Sequence, residues 1–137
     1  MKTKEKLRLI GINFFLFAIL FGVISFNKDV LRPNYGHLPF WDIVLGSLPN
    51  FVAAYLISLA FVNGVIRKST KHARLIVYSS SFIVFVLLAI EEIKPMWGAS
   101  TSYDIFDILA SLLGAILSVI TFELFVWVQK KKTIQID

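Results

Sequence analysis

The sequence predicts an all-α fold: an integral membrane bundle of four helices with both termini in the cytoplasm. Three observations support this prediction. Hydrophobic residues make up 57% of the 137 residues and the mean hydropathy is +0.75, whereas soluble domains are about 45–50% apolar. The apolar residues fall in four long runs. Basic residues gather in the flanks of these runs rather than inside them, as is typical of membrane-spanning helices.

Composition also excludes several classes of function. The chain has no cysteine, so disulfides, thiolate metal sites and thiol nucleophiles are excluded. Its two histidines, His37 and His72, fall in different predicted loops, so neither a metal site nor a cofactor is predicted. The net charge of +5 lies in short membrane flanks, so a nucleic-acid partner is not expected. The length suits a single membrane domain.

The first predicted span covers residues 9–26, an uncharged run that follows a basic start. Its eighteen residues would rise about 27 Å as a helix, just enough to cross the hydrocarbon core. A cleaved signal peptide is the alternative, because it also has a basic start and an apolar run. The run is long for such a peptide and no A-x-A-like site follows it, so a retained span is favoured.

The rest of the chain supplies three more predicted spans. Turn-forming residues and interfacial aromatics between residues 27 and 42 predict a loop followed by a short interfacial helix. The second span covers residues 43–66 and is expected to be kinked at Pro49. The third covers residues 75–91 and the fourth residues 105–128. A basic C-terminal tail is expected to fray.

The distribution of Lys and Arg predicts the orientation. The N-terminal flank has four of them, the 67–74 loop four and the C-terminal flank three, whereas the two other loops have three together. Cytoplasmic loops of membrane proteins carry the excess of positive charge. Both termini are therefore predicted to be cytoplasmic, and most acidic residues fall on the opposite, outer side.

Acidic residues gather where the third span ends and the fourth begins. Asp104 and Asp107 share a helix face, and the structural interpretation makes them the N-cap and the third-position acid of the fourth helix. Glu91 and Glu92 end the third span, where the helix dipole disfavours negative charge. Adjacent residues point about 100° apart, so Glu91 is expected to pair with Lys94 and Glu92 to face inward. The alternative is that both are solvated residues flanking the span.

A stripe of small residues continues the face that bears Asp107. Ala110, Gly114 and Ser118 have the small-xxx-small spacing that lets membrane helices approach closely. Asp107 is therefore expected on a packed face, at an outward-facing acidic pocket. The residues expected to bind a ligand there are Glu92, Asp104, Asp107, Asp42 and Ser111.

Glu123 lies in the inner part of the fourth span, where a carboxylate needs a compensating interaction. Two interpretations are open for this side chain. It either extends to the cytoplasmic interface or pairs with a basic residue such as Arg74.

The acidic stretch resembles the VanZ-like membrane proteins. Their signature is a Glu that ends one span, a loop with Gln, Pro and often Arg, and an Asp-x-x-Asp-x-x-x-Asn-x-x-Gly start to the next. The matching residues here are Glu92, Pro95, Asp104, Asp107, Ser111, Gly114 and Ala115. Ser111 replaces the Asn, and Thr101 falls near the Arg position. The resemblance implies a bacterial inner-membrane protein with an envelope-related role, since the founding member is associated with resistance to a glycopeptide antibiotic.

Three functions are compatible with these patterns. The first is an envelope protein whose acidic pocket binds a lipid or glycan headgroup, or a cation. The alternative is a non-catalytic small subunit or assembly partner of a larger membrane complex, docked through the small-residue stripe. The third is a hydrolase or transferase that uses paired carboxylates, which is disfavoured because no Ser-His pair, phosphate loop or metal-ligand set accompanies them. The expected partners are the bilayer and either a lipid-linked envelope precursor or a larger membrane protein, and homo-oligomerisation remains open.

Overall fold

The computed structural model describes residues 3–66, 72–94 and 104–134, and within these ranges the secondary structure is helical. The elements in chain order are α1 (Thr3–Phe26), a π-helical segment (Asn27–Leu31), α2 (Arg32–Tyr35), α3 (Pro39–Ile66), α4 (Ala73–Ile93) and α5 (Ile105–Ile134). Four helical stretches are long and apolar enough to cross a membrane. The predicted all-α class and the four long apolar helices are therefore confirmed.

The loop predicted after residue 26 is wrong. The chain stays helical to Tyr35, and only the short stretch between α2 and α3 separates it from the next long helix. Pro33 indicated a break, but it lies in the first turn of α2, directly after the π-helical turn, and the helical backbone continues through it. The preceding turn widens to a π-helix, in which the Arg32 amide donates to the Asn27 carbonyl.

The other boundaries differ from prediction by smaller amounts. The second long helix begins at Pro39 and contains Pro49, as expected from the sequence. The last helix continues to Ile134, several residues beyond the predicted span, because the basic residues after it are good helix formers.

Helix α3 is the centre of the fold. It packs against α1, α4 and α5, and α4 also packs against α5. Among the described residues α1 contacts α3 and the short segment that follows it, but neither α4 nor α5. The arrangement is therefore a triangle of α3, α4 and α5 with α1 on the outer side of α3.

A close contact between α5 and α3 lies at Gly114. A Cβ atom at this position would collide with the Phe51 carbonyl oxygen, and would be 2.9 Å from the Ala54 Cβ and 3.0 Å from the Tyr55 nitrogen. Only glycine permits this approach of α5 to the backbone of α3. The two helices run in the same direction from this contact, which fixes their register.

Buried serines lie one turn further along from the Gly114 contact. Ser118 follows Gly114 by four residues and Ser58 follows Ala54 by four, so both lie at the same level. The Oγ atoms of Ser118 and Ser81 are 3.0 Å apart, which joins α5 to α4. Below them an apolar core contains Val62, Val65, Val77 and Phe122.

Asn27 joins α1 to α3 through a backbone group that Pro49 leaves free. Proline has no amide hydrogen, so the Leu45 carbonyl, four residues before Pro49, lacks its helical donor. The Asn27 Nδ2 donates to this carbonyl at 2.8 Å, and Asn27 is 2% exposed. An interhelical side-chain bond thus replaces the missing hydrogen bond within α3.

Candidate functional site

Two of the predicted acidic residues join the ends of α4 and α5. The Asp104 Oδ1 accepts a hydrogen bond from the Phe106 amide at 2.9 Å, so Asp104 is the N-cap of α5. The Glu92 Oε1 accepts from the Asp104 amide at 3.0 Å. Glu92 therefore satisfies another free amide at the start of α5, and this bond holds the two helix ends together.

Asp107 is different, because capping does not account for its side chain. Its Oδ1 is buried and has no hydrogen-bond partner among the described residues. Ser47 and Asn50 of α3 lie near the carboxylate, and the Ser47 hydroxyl donates to the Ile43 carbonyl at 2.9 Å. Asp107 is thus a carboxylate between two helices whose buried Oδ1 has no donor among the described residues.

The negative charges of the cluster repel one another. Glu92 and Asp104 are close enough to Asp107 for their negative charges to act on it. Like charges at short distance repel, and a ligand that carries positive charge or hydrogen-bond donors relieves this repulsion. The arrangement therefore favours a ligand with ammonium, hydroxyl or amide donors. We call the cluster of Glu92, Asp104, Asp107, Ser47 and Asn50 the acidic site.

Two of the residues predicted to bind a ligand, Asp42 and Ser111, do not belong to the acidic site. Asp42 lies exposed in the first turn of α3, and no contact in the described part of the chain joins it to the acidic site. Ser111 is buried beside Asp107, but its hydroxyl donates to the Asp107 carbonyl at 3.0 Å. Its donor is therefore used within α5 and does not face a ligand.

The predicted ion pair of Lys94 is not formed within the described residues, where Arg74 and Glu123 make the one ion pair. Lys94 instead follows the last turn of α4, and its amide donates to the Ile90 carbonyl. Neither Glu91 nor Glu92 is thus neutralised by a neighbouring charge from this turn.

Sequence reasoning missed the two α3 members of the acidic site. Ser47 and Asn50 are three residues apart and share a helix face, on either side of Pro49. A polar pair on one face of an otherwise apolar span was the available signal, because such residues usually point to the protein interior.

An apolar groove begins beside Ser47 and runs between α3 and α5. It encloses about 360 Å³. Its walls come from the same two helices that present Asp107, and its lining includes Ile43, Val44, Leu48, Phe106, Leu109 and Leu113. The acidic site is therefore next to a surface suited to a hydrocarbon chain.

The described residues offer no three His, Asp or Glu side chains arranged to hold a metal ion. The carboxylates of Glu92 and Asp104 each accept a backbone amide hydrogen bond through one oxygen.

The small-residue stripe is covered within the molecule. Gly114 lies against the α3 backbone and Ser118 is 0% exposed, while Ala110 is partly buried beside the groove. The stripe therefore packs largely against α3 within the molecule. Docking of a larger partner stays a prediction.

Glu123 is paired rather than extended to the interface. The Arg74 Nε donates to its Oε1 and the Arg74 Nη2 to its Oε2, both at 2.9 Å. The Tyr78 hydroxyl donates to Oε1 at 2.8 Å. This two-point pairing of a guanidinium with a carboxylate is the stronger form of ion pair.

The fold and the acidic site define a class of protein: an all-helical chain with four potential membrane spans and a carboxylate cluster at one end of its bundle. Comparisons with known protein families, with curated proteins and with solved structures gave no match. The resemblance to the VanZ-like proteins thus rests on residues 91–118. Two of its positions, Pro95 and Thr101, lie outside the described residues.

Proposed function

We propose that this is a VanZ-like multi-pass protein of the bacterial inner membrane that binds a donor-bearing headgroup at the acidic site. The site faces outward, both termini are cytoplasmic, and the role belongs to the cell envelope. A lipid-linked glycan precursor is the ligand class that suits this location. Binding of such a precursor would also give cells tolerance to a glycopeptide antibiotic.

One observation carries the proposal: the Asp107 carboxylate is held between α3 and α5 with its Oδ1 unpartnered within the described residues. A buried acceptor without a donor is unfavourable by about 1–3 kcal/mol, and more when it is charged. Such a group is explained by a bound ligand, water or ion, by stored strain, or by a role in a reaction. A sugar hydroxyl or an ammonium group supplies the missing donor.

The neighbouring groove supports a ligand that also has a hydrocarbon chain. It begins at Ser47, which belongs to the acidic site as well. A lipid whose chain lies between α3 and α5 brings its headgroup to Asp107. The proposal therefore specifies one ligand with two parts, a polar head and an apolar tail.

Binding is favoured over acid–base catalysis by the same geometry. A pair of catalytic carboxylates needs two groups free to exchange protons with the substrate. Glu92 and Asp104 each accept a backbone amide hydrogen bond at the start of α5, so each has one carboxylate oxygen engaged within the protein. Asp107 alone is then placed to contact a ligand.

The test is native mass spectrometry of protein extracted gently from its own membrane. The native chain is expected to carry a lipid or glycolipid. Asp107→Asn should reduce its occupancy about tenfold or more, because hydrogen bonds to a charged group are worth about 1.5–3 kcal/mol. Asp42→Asn, an exposed acid on the same side, is the matched control and should retain the ligand.

Equal occupancy in Asp107→Asn and in the native chain would contradict the proposal, provided that both reach the membrane in equal amounts. Co-extraction of a larger protein without a bound small molecule would favour the subunit alternative instead.

A further inference from the structure

A second cavity lies at the opposite end of the bundle from the acidic site. It encloses about 760 Å³ and is bounded by α1, α3 and α5. Since α1 does not contact α5 in the described residues, α3 forms the floor of this cavity and the other two helices form its walls. We call it the basic-end crevice. Its lining includes Arg8, Leu16, Leu59, Asn63, Leu124 and Phe125.

The crevice has a polar end and an apolar end. Arg8 lies near the start of α1 and Leu16 two turns further along, about 12 Å deeper by helical rise. Ile66 on α3 and Val128 on α5 lie at the level of the mouth, whereas Leu59 and Thr121 lie deeper in the crevice. A positive charge therefore lies at the mouth and hydrocarbon at the bottom.

Arg8 has no acidic partner among the described residues, where Arg74 and Glu123 form the one ion pair. Lys4 and Lys6 are exposed on α1 and are not part of the crevice lining. Arg8 thus gives the mouth of the crevice a positive charge that attracts an anion.

The first helix is held in a fixed position beside this crevice. The Asn63 Nδ2 donates to the Asn13 Oδ1 at 2.9 Å, which ties α1 to α3 at mid-depth. The Asn27 bond to the Leu45 carbonyl ties them again near the far end of α1. Two polar ties separated by several turns keep the gap between α1 and α5 open at a defined width.

We propose that the basic-end crevice binds one anionic phospholipid, with its phosphate on Arg8 and an acyl chain between α1 and α5. Charge complementarity at the mouth and apolar walls at depth match the two parts of that molecule. The guanidinium recognises a phosphate through two parallel hydrogen bonds. A lipid in this position completes the packing of α1, which is unburied along its apolar length.

The experiment offers the purified protein equimolar phosphatidylglycerol and phosphatidylcholine with identical acyl chains, and counts bound lipids by native mass spectrometry. The native chain should hold phosphatidylglycerol in about fivefold preference, the factor expected for one favourable charge contact. Arg8→Gln should remove this preference. Lys4→Gln, which takes the same charge from the same helix but not from the crevice lining, should preserve it.

A second variant tests the apolar part. Leu124 lines the crevice and is 58% exposed, so Leu124→Trp fills the space without disturbing the core. It should reduce the binding of both lipids. An equal effect of Lys4→Gln and Arg8→Gln, or unchanged binding in Leu124→Trp, would overturn the proposal.

Discussion

At the scale of single residues, Glu123 shows how this chain accommodates a carboxylate in an apolar helix. Arg74 neutralises it through two hydrogen bonds and Tyr78 adds a third. The partners come from the first two turns of α4, so the network also fixes α4 against α5. Removal of one charge leaves the other without compensation, which is worse than removal of both.

This network gives a test by double substitution. Arg74→Gln should lower the thermal midpoint in detergent, because Glu123 keeps its charge but loses the compensating guanidinium. Adding Glu123→Gln should restore most of the loss, since no unpaired charge remains. Circular dichroism melts of the two single variants and the double variant measure this coupling. Additive losses would show that the pair is not stabilising.

The sequence indicated the three carboxylates of the acidic site and the N-cap role of Asp104, but not the contacts of Glu92 and Asp107. Acidic residues at the start of α5 follow from general preferences at helix starts, and Asp104 obeys them. Whether Asp107 points to solvent or to α3 depends on the rotation of α5, which is set by the contact at Gly114. That contact joins residues about 60 positions apart, so local sequence patterns do not predict it.

At the scale of elements, Pro49 and Asn27 form a matched pair. The proline leaves a carbonyl unbonded inside a long apolar helix, and the π-helical turn places an asparagine against it. Such turns insert one extra residue and rotate the following side chains. The polar residues after Phe26 predicted a loop, because a π turn has no strong sequence signal and the bond that Asn27 makes is with another helix.

The two residues should therefore be energetically coupled. Asn27→Leu is expected to destabilise the native chain by about 1 kcal/mol more than it destabilises the Pro49→Ala chain. In the second background the alanine amide donates to the Leu45 carbonyl, so the asparagine is no longer needed. Unfolding by a denaturing detergent measures the four free energies.

Asn34→Ala is the matched control for this cycle. Asn34 donates its amide locally to the Val30 carbonyl on an exposed surface, so its substitution should show no coupling to Pro49. A coupling energy near zero for Asn27 would mean that the Leu45 carbonyl is satisfied in another way.

At the scale of the whole molecule, α3 organises both ends of the bundle. Its first half presents Ser47 and Asn50 to Asp107, and its second half forms the floor of the basic-end crevice. The contact at Gly114 lies between these two regions. Any displacement of α5 from α3 should therefore disturb both sites together.

Gly114→Ala tests this dependence. The added methyl would collide with the Phe51 carbonyl, so we expect a loss of about 1–3 kcal/mol of unfolding free energy. Gly11→Ala and Gly22→Ala are suitable controls, because nothing lies within 4 Å of a Cβ at either position. Both should be neutral or slightly stabilising, since alanine favours the helix. Equal effects in all three variants would contradict the close contact.

The bond between Asn27 and the Leu45 carbonyl also bears on the order of synthesis. Both residues belong to the first half of the chain, and neither needs α4 or α5 to be present. Chains are made from the N-terminus and early segments assemble first. The hairpin of α1 and α3 can therefore form as a unit in which the Leu45 carbonyl that Pro49 leaves free is already hydrogen-bonded. Helices α4 and α5, the second of which contains Asp107, then pack against an α3 that is already in place.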